Sequence, residues 1–179
     1  MPRYVALLRG INVGRHQQIA MADLRALLEE LGFTGVATVL RSGNALFDAA
    51  GADAERLERD IEAAIQARLG LTVACVVRGA DELRAVVAGN PLLERATDLS
   101  RLMAIFLSAA PDPDLLAVHD PSAPAPGDIV LGDRVIYQWC PDGVLAAPAV
   151  GAFAERHLGV RATARNWKTV TRLTARLEP

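Results

Sequence analysis

Two short segments of the chain share the spacing Arg-x-x-Asn: Arg9 Gly10 Ile11 Asn12 and Arg41 Ser42 Gly43 Asn44. A guanidinium is a planar, permanently charged fork that meets a phosphate or carboxylate with two parallel hydrogen bonds, and a carboxamide offers a donor and an acceptor side by side. Gly10, Gly14 and Gly43 let a ligand approach backbone N–H groups, and Ser42 adds a hydroxyl. Such a set suits an anion. Each loop also has a purely structural reading, with Asn44 capping its turn, Gly43 supplying a positive φ, and the arginines pairing with Asp23 or Asp48 on the surface.

A third segment, Arg165 Asn166 Trp167 Lys168 Thr169, repeats these residue types. Asn166 stands where the N-cap of a final helix would, with Thr169 at N3, and capping alone accounts for it. Trp167 is expected to pack inside the protein. Lys168 is the single lysine beside 18 arginines, and the chain has only four asparagines: Asn12, Asn44, Asn90 and Asn166.

Residues for catalysis are scarce. His16, His119 and His157 are far apart in sequence, and there is no Gly-x-Ser-x-Gly, no paired carboxylate and no His-x-x-x-His spacing. His16, in the loop after Gly14, is the best placed for acid–base work and is more simply a solvated loop histidine; His157 is expected to meet a helix dipole. Cys75 and Cys140 have neither a C-x-x-C spacing nor a nearby histidine, which argues against zinc and against a disulfide framework. Cys75 reads as a small core residue. No cofactor or metal is expected.

The elements that must position the two loops follow from periodicity. Residues 4–9 form a short apolar run stopped by Gly10, a buried strand. Leu24, Leu27, Leu28 and Leu31 recur at helical spacing, with Gly32 placed for a left-handed cap. Strands at 36–40 and 45–47 flank the turn Ser42 Gly43. Leu57, Ile61, Ile65 and Leu69 stripe a second helix ending at Gly70, and 72–77 reads as a strand. The order is βαββαβ, that of a ferredoxin-like sandwich. Its first and third strands are antiparallel neighbours, which brings the loop after Arg9 beside the hairpin carrying Asn44, next to the N-terminus of the first helix.

A short helix at 81–88 ends at Gly89 Asn90 Pro91. The second half repeats the order more loosely: a strand at 102–107, a helix at 113–118, strands at 129–131 and 135–139, a helix from about 148 to 158, an extended stretch at 161–164 and a helix at 167–177. The expectation is an α+β protein of two tandem ferredoxin-like subdomains with antiparallel sheets and a C-terminal helix. Residues 1–79 form the first, 80–100 a linking helix and loop, and 101–179 the second. No residue-level repeat accompanies the duplication.

The 179 residues are 51% hydrophobic and 22% charged, which excludes disorder as the main state. A net charge of −2 gives no general basic field, so nucleic acid is an unlikely partner. The start of the chain lacks the apolar length of a secretory signal, and no apolar run reaches the roughly 20 residues of a membrane span. A cytoplasmic protein is expected.

The chain resembles a bacterial family of unknown function, DUF1697. The resemblance rests on Leu7 Leu8 Arg9 Gly10 Ile11 Asn12 Val13 Gly14, on Ser42 Gly43 Asn44 with Phe47, on Asn90 Pro91, and on Thr163 Ala164 Arg165 Asn166 Trp167 with Thr169. It implies a tandem ferredoxin-like fold over essentially the whole length and carries over no activity. After Gly14 many relatives have Lys or Asn where this chain has Arg15 His16 Gln17 Gln18, so His16 is not implied as a shared group, and the position of Lys168 varies as well.

Three functions are open to such a chain. The first is binding of a small anionic ligand, a nucleotide or phosphorylated metabolite, through Arg9, Gly10, Asn12, Gly14, Arg41, Ser42, Gly43 and Asn44, with Arg165 and Asn166 as further candidates. The second is an RNA-binding or RNA-modifying module, weakened by 4% aromatic content, with Tyr4 and Phe47 as its stacking groups in the first half. The third is a protein-interaction module in which the loops only hold turns.

Overall fold

The structure, a computed structural model, describes residues 1–51 and 53–177. It is an α+β fold with two four-stranded antiparallel sheets and a C-terminal helix. The described chain divides into two compact units, residues 1–83 with 175–177, and residues 84–174.

In the first unit β1 (Arg3–Leu8), α1 (Met21–Glu30), β2 (Thr34–Val39), β3 (Asn44–Asp48), α2 (Ala54–Leu69) and β4 (Cys75–Gly79) follow in order, and the sheet order is β2-β3-β1-β4. The helices bury the stripes that their spacing marks: Leu24, Leu27 and Leu28 from α1 meet Leu57, Ile61 and Ile65 from α2 over Ala6, Leu8, Phe47 and Val77 of the sheet. Each such side chain contributes about 1.5–3 kcal/mol by leaving water. Asp53 caps α2 by accepting from the Arg56 N–H, and Gly70 closes it at φ 67. Gly32 follows α1 at φ 83, as its position requires.

The strand expected at 72–77 starts three residues later, at Cys75. Thr72 and Ala74 have other partners, because the Thr72 carbonyl accepts from Gln17 Nε2 at 3.0 Å and the Ala74 carbonyl from the Arg9 N–H at 2.9 Å. The β-rich run therefore holds the loop after β1 before it joins the sheet. The outward N–H groups of β4 are occupied as well. Cys75, Val77 and Gly79 donate to carboxylates of Glu62, Glu58 and Glu82 at 2.8, 2.9 and 2.9 Å.

After α3 (Ala80–Ala88), the second unit runs β5 (Leu102–Leu107), α4 (Pro113–Val118), β6 (Ile129–Leu131), β7 (Val135–Trp139), α5 (Val150–His157), β8 (Ala162–Asn166) and α6 (Trp167–Leu177), with sheet order β6-β7-β5-β8. Its core gathers Ile105, Leu107, Ile136, Val150, Ala154 and Leu158. The helix expected from about 148 begins at Val150, since Pro148 and Ala149 lead into it. The extended stretch expected at 161–164 is a full strand that reaches Asn166, so Arg165 and Asn166 lie in the sheet and not in a loop.

The units share more than element order. The Leu8 N–H donates to the Gly43 carbonyl at 2.8 Å, and the Leu107 N–H donates to the Arg134 carbonyl at 2.9 Å. The Arg9 N–H meets Ala74 O at 2.9 Å, and Ser108 meets Arg161 O at 2.9 Å. Glu62 takes the first N–H of β4, and Glu155 takes that of β8 from Ala162 at 3.2 Å. Arg78, paired with Val5, corresponds to Arg165, paired with Ala104; their Nη1 atoms each donate to the preceding carbonyl, Val77 O and Ala164 O, at 2.8 Å.

Candidate functional site

The antiparallel pairing of β1 with β3 places Leu7 opposite Asn44 and brings the loops 9–14 and 41–44 to one end of the sheet. Asn12 joins them. It adopts φ 55, a left-handed conformation that asparagine tolerates, and its Nδ2 donates to Ile19 O at 3.0 Å and to Arg41 O at 2.7 Å, while its Oδ1 accepts from the Ile19 N–H at 2.9 Å. One side chain thus closes the connection before α1 and ties it to the hairpin. Gln17, at φ 48, anchors the far side of the same connection to Thr72.

The hairpin is held from inside. Asn44 is fully buried, and its Nδ2 donates to Val39 O at 2.8 Å and to Ser42 Oγ at 3.0 Å. Gly43 turns at φ 86, and a Cβ there would stand 2.8 Å from Leu8 Cβ and 2.9 Å from the Ile11 side chain, so only glycine fits. Both asparagines and Gly43 therefore shape the loops from beneath.

What the loops present outward is Arg9, Gly10, Gly14, Arg41 and Ser42, all exposed. Arg41 makes no side-chain hydrogen bond or ion pair among the described residues. Asp48, a possible partner for these arginines, pairs instead with Arg3, whose Nη1 lies 3.3 Å from its Oδ2. Arg15 and His16 sit in the exposed turn between Val13 and His16, beside Gly10 and Gly14, which have φ 65 and 61. The arrangement is a cationic rim on a fastened backbone.

The third segment lies in the second unit. Asn166 Oδ1 accepts from the Thr169 N–H at 2.9 Å, which is the cap that its position implies. Arg165 is buried, with Nη1 on Thr163 Oγ1 at 3.0 Å and on Ala164 O. Lys168 Nζ lies 3.8 Å from Asp98, whose carboxyl is held below its ordinary value by hydrogen bonds from Ser100 and then by Lys168 and Arg101. Trp167 is buried edge-on to Tyr137, with ring centroids 6.3 Å apart. Asn90 Oδ1 accepts from the Leu92 N–H at 2.9 Å and closes the turn after α3.

Of the two aromatic groups considered for base stacking, Phe47 is completely buried between Tyr4 and Phe33, at centroid distances of 5.8 and 4.5 Å. It belongs to the core. Both cysteines are buried, and burial followed by the nearby Asp128 pushes the Cys140 thiol up. Among the described residues no group of three His, Cys, Asp or Glu side chains could hold a metal ion, and no helix is long and apolar enough to cross a membrane.

His16 is exposed in its loop and His157 stands in the last turn of α5, where it has a neighbour that the sequence did not announce. His119 and His157, 38 residues apart, lie against each other with ring centroids 4.8 Å apart and planes tilted by 35°, beside Phe153 in the second unit, because the end of α4 reaches the last turn of α5. No local pattern announces a pair formed by two such ends. Arg78 was also invisible in the sequence: a single arginine in a valine-rich strand has no neighbour that marks it as the counterpart of Arg165.

Comparison with known proteins places these features in context. A family model described as "Protein of unknown function (DUF1697)" matches residues 1–137. No curated protein matches the chain. The conserved bacterial protein SP0830 from Streptococcus pneumoniae has a similar structure, with a TM-score of 0.70 and 23% sequence identity over 99% of each chain, a likeness of fold. The family match spans 137 of 179 residues, includes both Arg-x-x-Asn loops and Asn90 Pro91, and shows that the chain belongs to DUF1697.

Proposed function

We propose that the protein binds a small anionic ligand, a nucleotide or a phosphorylated metabolite, on the rim formed by residues 9–14 and 41–44. In this reading each unit is a ferredoxin-like sandwich, with residues 80–100 linking residues 1–79 to 101–179, and the protein works in the cytoplasm. Arg9 and Arg41 supply charge, Ser42 a hydroxyl, and Gly10 and Gly14 close access to the backbone, while Asn12, Gly43 and Asn44 hold both loops in place. Arg165 and Asn166 are left out of the rim, because the first is buried beside Thr163 and the second caps α6.

The observation that carries this reading is the difference between the two units. Both use the same strand order and the same hydrogen bonds from the end of the first strand to the hairpin. The second unit connects β5 to α4 through residues 108–112, whereas the first takes residues 9–20 over the corresponding step. Strand pairing does not require the longer loop, its two left-handed glycines or its Asn12 clamp. Such an elaboration on a scaffold loop is where binding commonly resides.

The test is thermal unfolding with phosphate, pyrophosphate, nucleotides and sugar phosphates, with the double variant Arg9→Ala, Arg41→Ala beside the parent. A ligand at 100 times its Kd adds about 2.7 kcal/mol, a rise of a few degrees in Tm at this size. The expected result is a rise for the parent and none for the variant. No rise with any anion, or an equal rise for both proteins, refutes the reading.

A further inference from the structure

The second unit contains a groove of about 310 Å3 along α5, lined by Pro121, Pro124, Pro148 and Phe153, with Arg156 and His157 in its wall. His119 lies against His157 in a tilted contact at 4.8 Å and stands edge-on to Phe153 at 6.5 Å. Its volume lies at the lower end of the range of small-ligand sites, and its lining is predominantly apolar, as in such sites.

The ionisable side chains that line it, Arg156 and His157, are both basic. Neither Arg156 nor either histidine makes a hydrogen bond or ion pair with a carboxylate among the described residues. The acids adjacent in sequence are engaged elsewhere: Asp120 accepts from the Ser122 N–H and Oγ at 2.8 and 2.7 Å, and Glu155 accepts from the Ala162 N–H. An apolar trough bordered by basic groups without acidic partners complements a ligand that has an apolar body and one anionic end.

We propose that this groove binds a small amphipathic monoanion, with an aromatic or branched aliphatic body against the prolines and Phe153 and a carboxylate met by Arg156 and the His119–His157 pair. The site shares no residue with the rim of the first unit and does not rest on the reading given to it.

Calorimetric titration of the full-length protein with 3-phenylpropionate, 3-phenylpropanamide and 3-phenylpropylammonium tests the proposal. The carboxylate is expected to bind, the amide about tenfold more weakly, and the ammonium not at all. Arg156→Gln should weaken the carboxylate about tenfold and leave the amide unchanged. Ala152→Leu, at an exposed helix position in the groove wall, should abolish binding of both while the Tm stays near that of the parent. Equal affinity for carboxylate and amide, carboxylate binding indifferent to both variants, or no binding at millimolar concentration overturns it.

Discussion

Gly43 shows how tightly single residues hold the candidate rim. Its φ of 86 disfavours other residues on backbone grounds, and Leu8 and Ile11 exclude even a methyl group on packing grounds. Gly43→Ala is therefore expected to destabilise the protein by about 2–4 kcal/mol, combining left-handed strain with overpacking, as read from urea unfolding. The motif that contains it was legible as a turn. The direction of its neighbours' side chains was not: nothing in the string Arg41 Ser42 Gly43 Asn44 says that the asparagine points inward to Val39 O while Arg41 stays outside. Asn12 was legible as a polar residue of a glycine-bearing loop, yet its grip on Ile19 and Arg41 depends on a positive φ and on a partner 29 positions away.

Among elements, β4 carries the clearest lesson. A strand at the end of a sheet exposes a row of unpaired donors that invites another chain, and here three glutamate carboxylates occupy that row. Glu58 is itself buried, so Glu58→Ala is expected to lower stability by about 1.5–3 kcal/mol and to promote aggregation measured by light scattering, whereas Glu58→Gln, which retains an acceptor oxygen, should recover part of the loss. Helical stripes were legible because Leu24, Leu27 and Leu28 answer to one period and all are buried. The beginning of β4 was not, since Thr72 Val73 Ala74 satisfies strand preferences while its carbonyls are taken by Gln17 and Arg9. The pairing of His119 with His157 escaped for the same reason: it depends on where two helices end in space.

For the whole molecule, element order was the most legible property, because turn signals at Gly10, Gly32, Ser42 Gly43 and Gly70 punctuate each period change. The correspondence between the units emerged only in hydrogen bonds, where Arg78 matches Arg165 and Glu62 matches Glu155 without any shared local motif. Charge operates at this scale too. With a net charge of −2 and a pI near 5.9, the protein is expected not to retain mixed-sequence single-stranded RNA on filters at about 0.15 M salt, and any retention at low salt should vanish steeply as salt is added.

The turn at Val13–His16 separates two jobs that the first loop performs. Its flanks are fastened, by Arg9 and Asn12 on one side and Gln17 and Ile19 on the other, while its tip is exposed and, among the described residues, hydrogen-bonds only within its own loop. β1 is paired on both sides and does not need a covalent link through that tip to keep its place. New chain termini, or an inserted tag, belong there: the fold would keep its central strand, and only a ligand on the rim would notice the change.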